Sequence, residues 1–201
     1  MKLNSRRTIL VGLAFLSICT FWQMYDSVMT LILTDTFKLN ETFAGAIMAA
    51  DNVLALFLLP FFGALSDRTH TRIGRRMPFI VGGTAAALLM NLIPLLDDRY
   101  AANPSTGTLV LFIVVLGLLL VAMGTYRSPA VALMPDVTPK PLRSRANAII
   151  NLMGAVGGIL YLGLAAVLYP ASKTKGVEHV SYRPLFFIVS MIMVVAVVVL
   201  Y

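Results

Sequence analysis

Long apolar runs alternate with short polar links along the chain. Six runs stand out, at about 8–33, 42–65, 78–96, 109–134, 146–169 and 184–201. Each is close to or above the roughly 20 apolar residues that carry a helix across about 30 Å of hydrocarbon. A helix satisfies its own backbone polar groups in lipid, and these runs are too long for barrel strands. The pattern predicts an all-α membrane protein with six transmembrane helices. The first run is longer than a signal-peptide core, carries Gln23 and Asp26, and ends at no small-residue cleavage site. It is read as a retained span.

Composition supports this. The chain is 59% hydrophobic and 12% charged, against about 45–50% and about 25% in soluble domains. A net charge of +7 in a soluble protein points to nucleic acid. Here the basic residues cluster between apolar runs, so topology explains them and no nucleic acid is implied. With the amino terminus inside, the inner segments hold Lys2, Arg6, Arg7, Arg68, Arg72, Arg75, Arg76, Lys140, Arg143 and Arg145. The outer links hold Lys38, Arg99, Lys173, Lys175 and Arg183. The excess on one side places both termini in the cytoplasm, for a protein of the plasma or inner membrane. Asp35, Glu41, Asp97, Asp98 and Glu178 fall outside. Runs 1–3 and 4–6 start on opposite sides, which permits an inverted three-plus-three repeat. The last run stops at Tyr201 without a polar tail, as expected of a piece of a longer chain. Cys19 is the single cysteine and reads as a small apolar filler.

The link after the second run reads Gly63-Ala-Leu-Ser-Asp67-Arg68-Thr-His-Thr-Arg72-Ile-Gly74-Arg75-Arg76-Met-Pro78-Phe. Gly63 lets its helix approach a neighbour closely. Asp67 ends that helix within reach of basic groups, and Gly74 permits a tight reversal. The spacing resembles the loop signature of the major facilitator superfamily. Its longer form here looks like the sucrose transporters and is similar to the glycoside–pentoside–hexuronide cation symporters. A second stretch, Ala132-Leu-Met-Pro-Asp136-Val-Thr-Pro139 through Arg143 and Arg145-Ala-Asn147 to Gly157-Gly158, is similar to the helix 4–5 junction of the same relatives.

The resemblance implies one six-helix bundle, residues 1–201, of a fold that has two. It implies alternating access around a midplane site. It makes Asp67, Arg75 and Arg76 gating residues, with Asp136, Arg143 and Arg145 as partners in one charge network. The chain departs from its relatives at Ala55 and Leu59, where cation symporters carry acids, and at Val131, where plant sucrose transporters carry arginine.

Three ionisable residues lie inside apolar runs: Asp26, Asp51 and Arg127. Such a residue costs about 2.5–3.5 kcal/mol on insertion scales, so it usually faces a cavity and has a function. At about 1.5 Å per residue, Asp51 is about 15 Å from the outer end of its run, Asp26 about 10 Å and Arg127 about 27 Å. Asp26 and Asp51 can meet, whereas Arg127 is too deep to pair with Asp26 if the spans are straight. A carboxylate in a low-dielectric cavity favours a bound proton or cation. Asp51 is the first choice for the coupling proton or sodium ion and Asp26 the second; a structural hydrogen bond is the rival role for each. Arg127 either serves the substrate or snorkels to the surface.

Trp22, Gln23 and Tyr25 precede Asp26. Aromatic stacking with amide and carboxylate hydrogen bonds is the chemistry of sugar binding, although Trp22 also suits an interfacial anchor. The expectation is symport of a glucoside-type disaccharide with protons, by one half that needs a second. That half is either a second copy or a missing carboxyl-terminal bundle. An inactive fragment and a non-transporting membrane assembly or regulatory protein are the alternatives. His70 and His179 are expected in solvated links. Asn40-Glu-Thr42 is a glycosylation acceptor pattern that matters only in a secretory route. No metal cluster, nucleotide loop or catalytic triad is visible, so no cofactor and no enzyme is implied.

Overall fold

The computed structural model describes residues 5–174 and 176–201. Lys2 and Lys175 of the charge pattern lie outside the described residues. Among these residues no strand forms, and six helices are long and apolar enough to span a bilayer. They are α1 (Arg6–Thr36), α2 (Glu41–Arg68), α3 (Met77–Ala102), α4 (Thr106–Val137), α5 (Lys140–Leu168) and α6 (Arg183–Leu200). The chain is a multi-pass membrane protein of the all-α class.

Each predicted run coincides with one helix, and two ends move by more than a turn. The start of α5 moves back to Lys140 through a short 3₁₀ turn, Lys140–Leu142. The end of α3 moves on to Ala102 because Pro94, Leu96 and Asp97 stay buried and the next breaker is Asn103-Pro104. A residue before proline is driven out of the helical region, and Asn103 is extended (φ −149°, ψ 92°). Within α3 the helix is interrupted at Gly83 and Asn91. The last turn of α1, Ile32–Thr36, widens into a π-helix. At the start of α2 the Thr42 N–H donates to Asn40 Oδ1 at 3.1 Å, so Asn40 serves as a helix cap.

The helices pack in exchanged pairs. α1 lies most heavily on α5 and α2 on α4; α3 lies on α4 as α1 lies on α6. Swapping 1 with 4, 2 with 5 and 3 with 6 maps these contacts onto one another, as an inverted three-plus-three repeat requires. Small residues make the α1–α5 contact close. A Cβ on Gly157 would strike the Leu16 carbonyl, and Thr20 Oγ1 lies 3.0 Å from Gly157 O and 2.8 Å from Leu16 O, able to donate to either. On the α2–α4 side, a Cβ on Gly63 would sit 3.1 Å from Ser128 Oγ, which donates to Leu59 O at 2.7 Å. Lipid tails are as apolar as these side chains, so close fit and interhelical hydrogen bonds hold the bundle.

Phe21, Met24, Tyr25, Met29, Phe112, Tyr126 and Phe186 fill its centre. Between α1 and α4, the hydroxyls of Ser17 and Tyr126 share a buried hydrogen bond of 2.9 Å. Leu56, Phe57, Leu88 and Val167 point outward and are exposed. Arg6, Arg68, Arg75, Arg76, Lys140 and Arg143 gather at one end, the basic end; Asp35, Glu41, Asp97, Asp98 and Glu178 gather at the other.

Candidate functional site

The α-helix turns about 100° per residue, so neighbours on α1 face different ways. Trp22 and Asp26, one turn apart, share a face. That face meets Asp51, Asn52 and Ala55 of α2 and Arg127 of α4 around a cavity of about 270 Å³. Asp51 is buried (6% exposed), and its Oδ1 has no hydrogen-bond partner among the described residues. Asp26 and Asn52 are exposed at the mouth. A narrower apolar extension, lined by Leu54, Leu58, Leu120 and Gly124, runs on from Trp22, Asp51 and Arg127.

The Arg127 guanidinium carbon sits 5.3 Å from the centroid of the Trp22 ring, within cation–π range. Arginine's long stem carries the charge to that level. Arg127 therefore shares the cavity with Asp26, and, in line with the depth estimate, it forms no ion pair with Asp26 or Asp51 among the described residues. Two carboxylates and one guanidinium leave the cavity net negative.

Two neighbours of Trp22 do not line the cavity. Tyr25 packs edge-on against Trp22, ring centroids 5.3 Å apart, but is buried in the core and stacked on Phe21 at 5.9 Å. Gln23 is exposed and faces a different cavity, against Cys19, Gly154 and Gly158.

A second cluster closes the basic end. Gly74 adopts φ +101°, the left-handed region that lets the α2–α3 link reverse. Its carbonyl accepts from Thr71 Oγ1 at 2.5 Å. The reversal delivers Arg76 into a buried position, with its side chain 8% exposed. Arg76 donates from Nε to Asp136 Oδ2 at 2.8 Å, meets Asp67 Oδ1 from Nη2 at 2.6 Å, and donates from Nη1 to Ser66 Oγ at 2.6 Å. Arg75 donates to Asp136 Oδ1 at 2.6 Å and lies 4.0 Å from Asp67. One end of α4 is thus pinned to the link between α2 and α3.

The basic partners expected from α5 are elsewhere. Arg143 donates to the carbonyls of Pro135 (2.9 Å) and Thr138 (3.3 Å), satisfying the end of α4 instead of a carboxylate. Arg68, Arg72 and Arg145 are exposed and make no ion pair among the described residues. Ser66 was not singled out from sequence; its place one turn before the basic link was the available signal. His179, expected in a solvated link, is instead half-buried and bonded to Asp98 at 2.8 Å.

The description of the Major Facilitator Superfamily matches residues 11–201. A sucrose transport protein of Arabidopsis thaliana is 30% identical over 152 residues, which cover 69% of this chain and 25% of that protein. An uncharacterized symporter of Synechocystis is 30% identical over 146 residues, covering 68% and 26%. An isoprimeverose transporter of Lactiplantibacillus pentosus is 25% identical over 175 residues, covering 84% and 34%. The chain spans about a quarter to a third of the length of these relatives. No solved structure matches it. Six spans in exchanged pairs, the Asp67–Arg76–Asp136 closure and a match along nearly the whole sequence lead to one family: the chain belongs to the major facilitator superfamily.

Proposed function

We propose that this chain is the amino-terminal bundle of a sugar–cation symporter that works by alternating access. The observation that carries the reading is the cavity that gathers Trp22, Asp26, Asp51 and Arg127 from three helices. Trp22 offers an aromatic face for the apolar side of a sugar ring, while Asp26, Asn52 and Arg127 offer hydrogen bonds. Asp51, buried and without a partner at Oδ1, is the group that a proton or sodium ion neutralises. Similarity to a sucrose transport protein and an isoprimeverose transporter favours a glycoside of two sugars. A proton is the first choice of coupling ion. The basic end faces the cytoplasm, with both termini there.

In this mechanism Arg75 and Arg76 hold Asp67 and Asp136 in one state and release them in the other. The solvated Arg75 pairs contribute about 1 kcal/mol or less each and the buried Arg76 contacts more, enough to bias a two-state equilibrium several-fold. A second six-helix half, from a longer chain or a second copy, supplies the other wall of the pathway.

The test is counterflow of labelled sucrose and maltose in proteoliposomes, beside Asp51→Asn. Uptake abolished by the substitution supports the reading. Sugar uptake at the unaltered rate in Asp51→Asn removes Asp51 from the mechanism, and uptake indifferent to an imposed pH gradient sinks the proton coupling.

A further inference from the structure

At the end of the bundle away from Arg76, three residues distant in sequence meet. Asp97 and Asp98 lie near the end of α3, and His179 arrives from the link between α5 and α6. His179 Nε2 lies 2.8 Å from Asp98 Oδ1 and 3.7 Å from Asp97 Oδ2. One nitrogen or oxygen from each of the three falls within 4.8 Å of the others.

Asp97 makes the cluster unusual. Its side chain is fully buried at 0% exposure, yet neither carboxylate oxygen has a hydrogen-bond partner among the described residues. The Thr36 hydroxyl lies beside it, outside bonding geometry. A buried carboxylate without donors is strongly unfavourable unless a positive partner offsets its desolvation.

The surroundings are arranged around that need. Thr36 Oγ1 is 3.4 Å from His179 Nδ1. The hydrogen bond from Nε2 to Asp98 uses a ring proton; with that proton on Nδ1 instead, toward Thr36, the Nε2 lone pair faces the two carboxylates and a cation takes the proton's place. Three electron-pair donors then face one point. The other oxygen of Asp98 accepts from Ser181 Oγ at 2.9 Å and meets Arg183 Nε at 2.5 Å, which fixes the carboxylate's orientation as outer partners do around metals. The adjoining cavity, about 540 Å³, carries Asp35 and Glu178 on its wall. Two carboxylates face the point and two more line the adjoining cavity, while Arg183 pairs with Asp98. Burial, then Asp97 and Asp35, push the Tyr182 phenol up to about 12.

We propose that Asp97, Asp98 and His179 form a binding site for a divalent transition-metal ion of the Zn²⁺ class. One imidazole and two carboxylates, with a fourth position toward the cavity, are a donor set that Zn²⁺ takes. Three donors are too few for Ca²⁺, which needs six to eight oxygens. An occupied site ties the end of α3 to the α5–α6 link. The proposal does not depend on the transport reading.

The test is calorimetric titration of Zn²⁺ into the purified, tag-free chain, beside His179→Gln, Asp97→Asn and His70→Gln. The expected result is saturable binding of one ion per chain. It weakens roughly tenfold or more, the loss seen even for outer partners of metals, in His179→Gln and Asp97→Asn, and is unchanged in His70→Gln. Asp97→Asn alters a packed helix end, so His179→Gln, in the link, carries the decision. Co²⁺ substituted for Zn²⁺ adds a spectroscopic readout, a visible absorption that the His179→Gln protein lacks. Binding that survives His179→Gln overturns the proposal, as does the absence of saturable binding to the unaltered chain.

Discussion

Arg76 and Asp136 meet across 60 residues of sequence, with Nε 2.8 Å from Oδ2 and the arginine side chain only 8% exposed. The same guanidinium holds Asp67 and Ser66. Arg76→Gln removes all of these at once. Breaking a buried pair costs about 3–5 kcal/mol, and the half-exposed Asp67 lowers the expectation to about 2–3 kcal/mol. Arg75, whose side chain is 45% exposed, has the same partners in water, and Arg75→Gln costs about 1 kcal/mol or less. Thermal denaturation in detergent reads the contrast. Equal losses for the two would remove the special place given to Arg76.

Gly157 and Gly158 differ in what a methyl group meets. At Gly157 it strikes the Leu16 carbonyl, while at Gly158 the nearest atom is Gln23 Oε1 at 3.9 Å. Gly157→Ala forces α1 and α5 apart and destabilises the bundle by about 1–3 kcal/mol. Gly158→Ala is neutral or stabilises by up to about 1 kcal/mol through helix propensity. Paired melting curves of the two variants decide it.

Trp22 is the chain's one tryptophan, and Arg127 lies over its ring. Emission excited beyond the tyrosine absorption therefore reports on the cavity alone. Arg127→Met shifts that emission, and a bound disaccharide shifts it in a saturable way that Asp26→Asn weakens. A fluorescence titration with no saturable change for any disaccharide argues against sugar in this cavity.

The side assigned to the basic end is checked by labelling single cysteines in a Cys19→Ala background. Arg72→Cys is expected to react only with reagent on the cytoplasmic side, and Arg99→Cys only with reagent on the far side. The reverse pattern would invert the topology.

Local features were legible in the sequence. Hydropathy marked all six spans because each run carries its own solvent preference. Gly74 and Gly63 could be read because a reversal and a close approach demand a missing side chain. Asp67, Arg75, Arg76 and Asp136 were grouped by motif, and the structure brings them together. What stayed hidden depends on long-range placement. His179 and Asp98 are 81 residues apart, and no local pattern announces their contact. Arg143 was placed in the charge network by resemblance; the unsatisfied carbonyls at the end of α4 hold it instead. Gln23 was grouped with Trp22 by adjacency, whereas the helical turn sends it to another face; Tyr25 stays against the Trp22 ring but is buried in the core.

The cavity sits on a seam. On one side α1 is splinted to α5 through Gly157 and Thr20; on the other, α2 is splinted to α4 through Gly63 and Ser128. Trp22 and Asp26 belong to the first plank, and Asp51 and Arg127 to the second. Two stiff planks with a polar gap between them behave as a pair of tongs. A small tilt of either would change the width of the jaw, and the Ser17–Tyr126 bond ties the two planks together along the same seam.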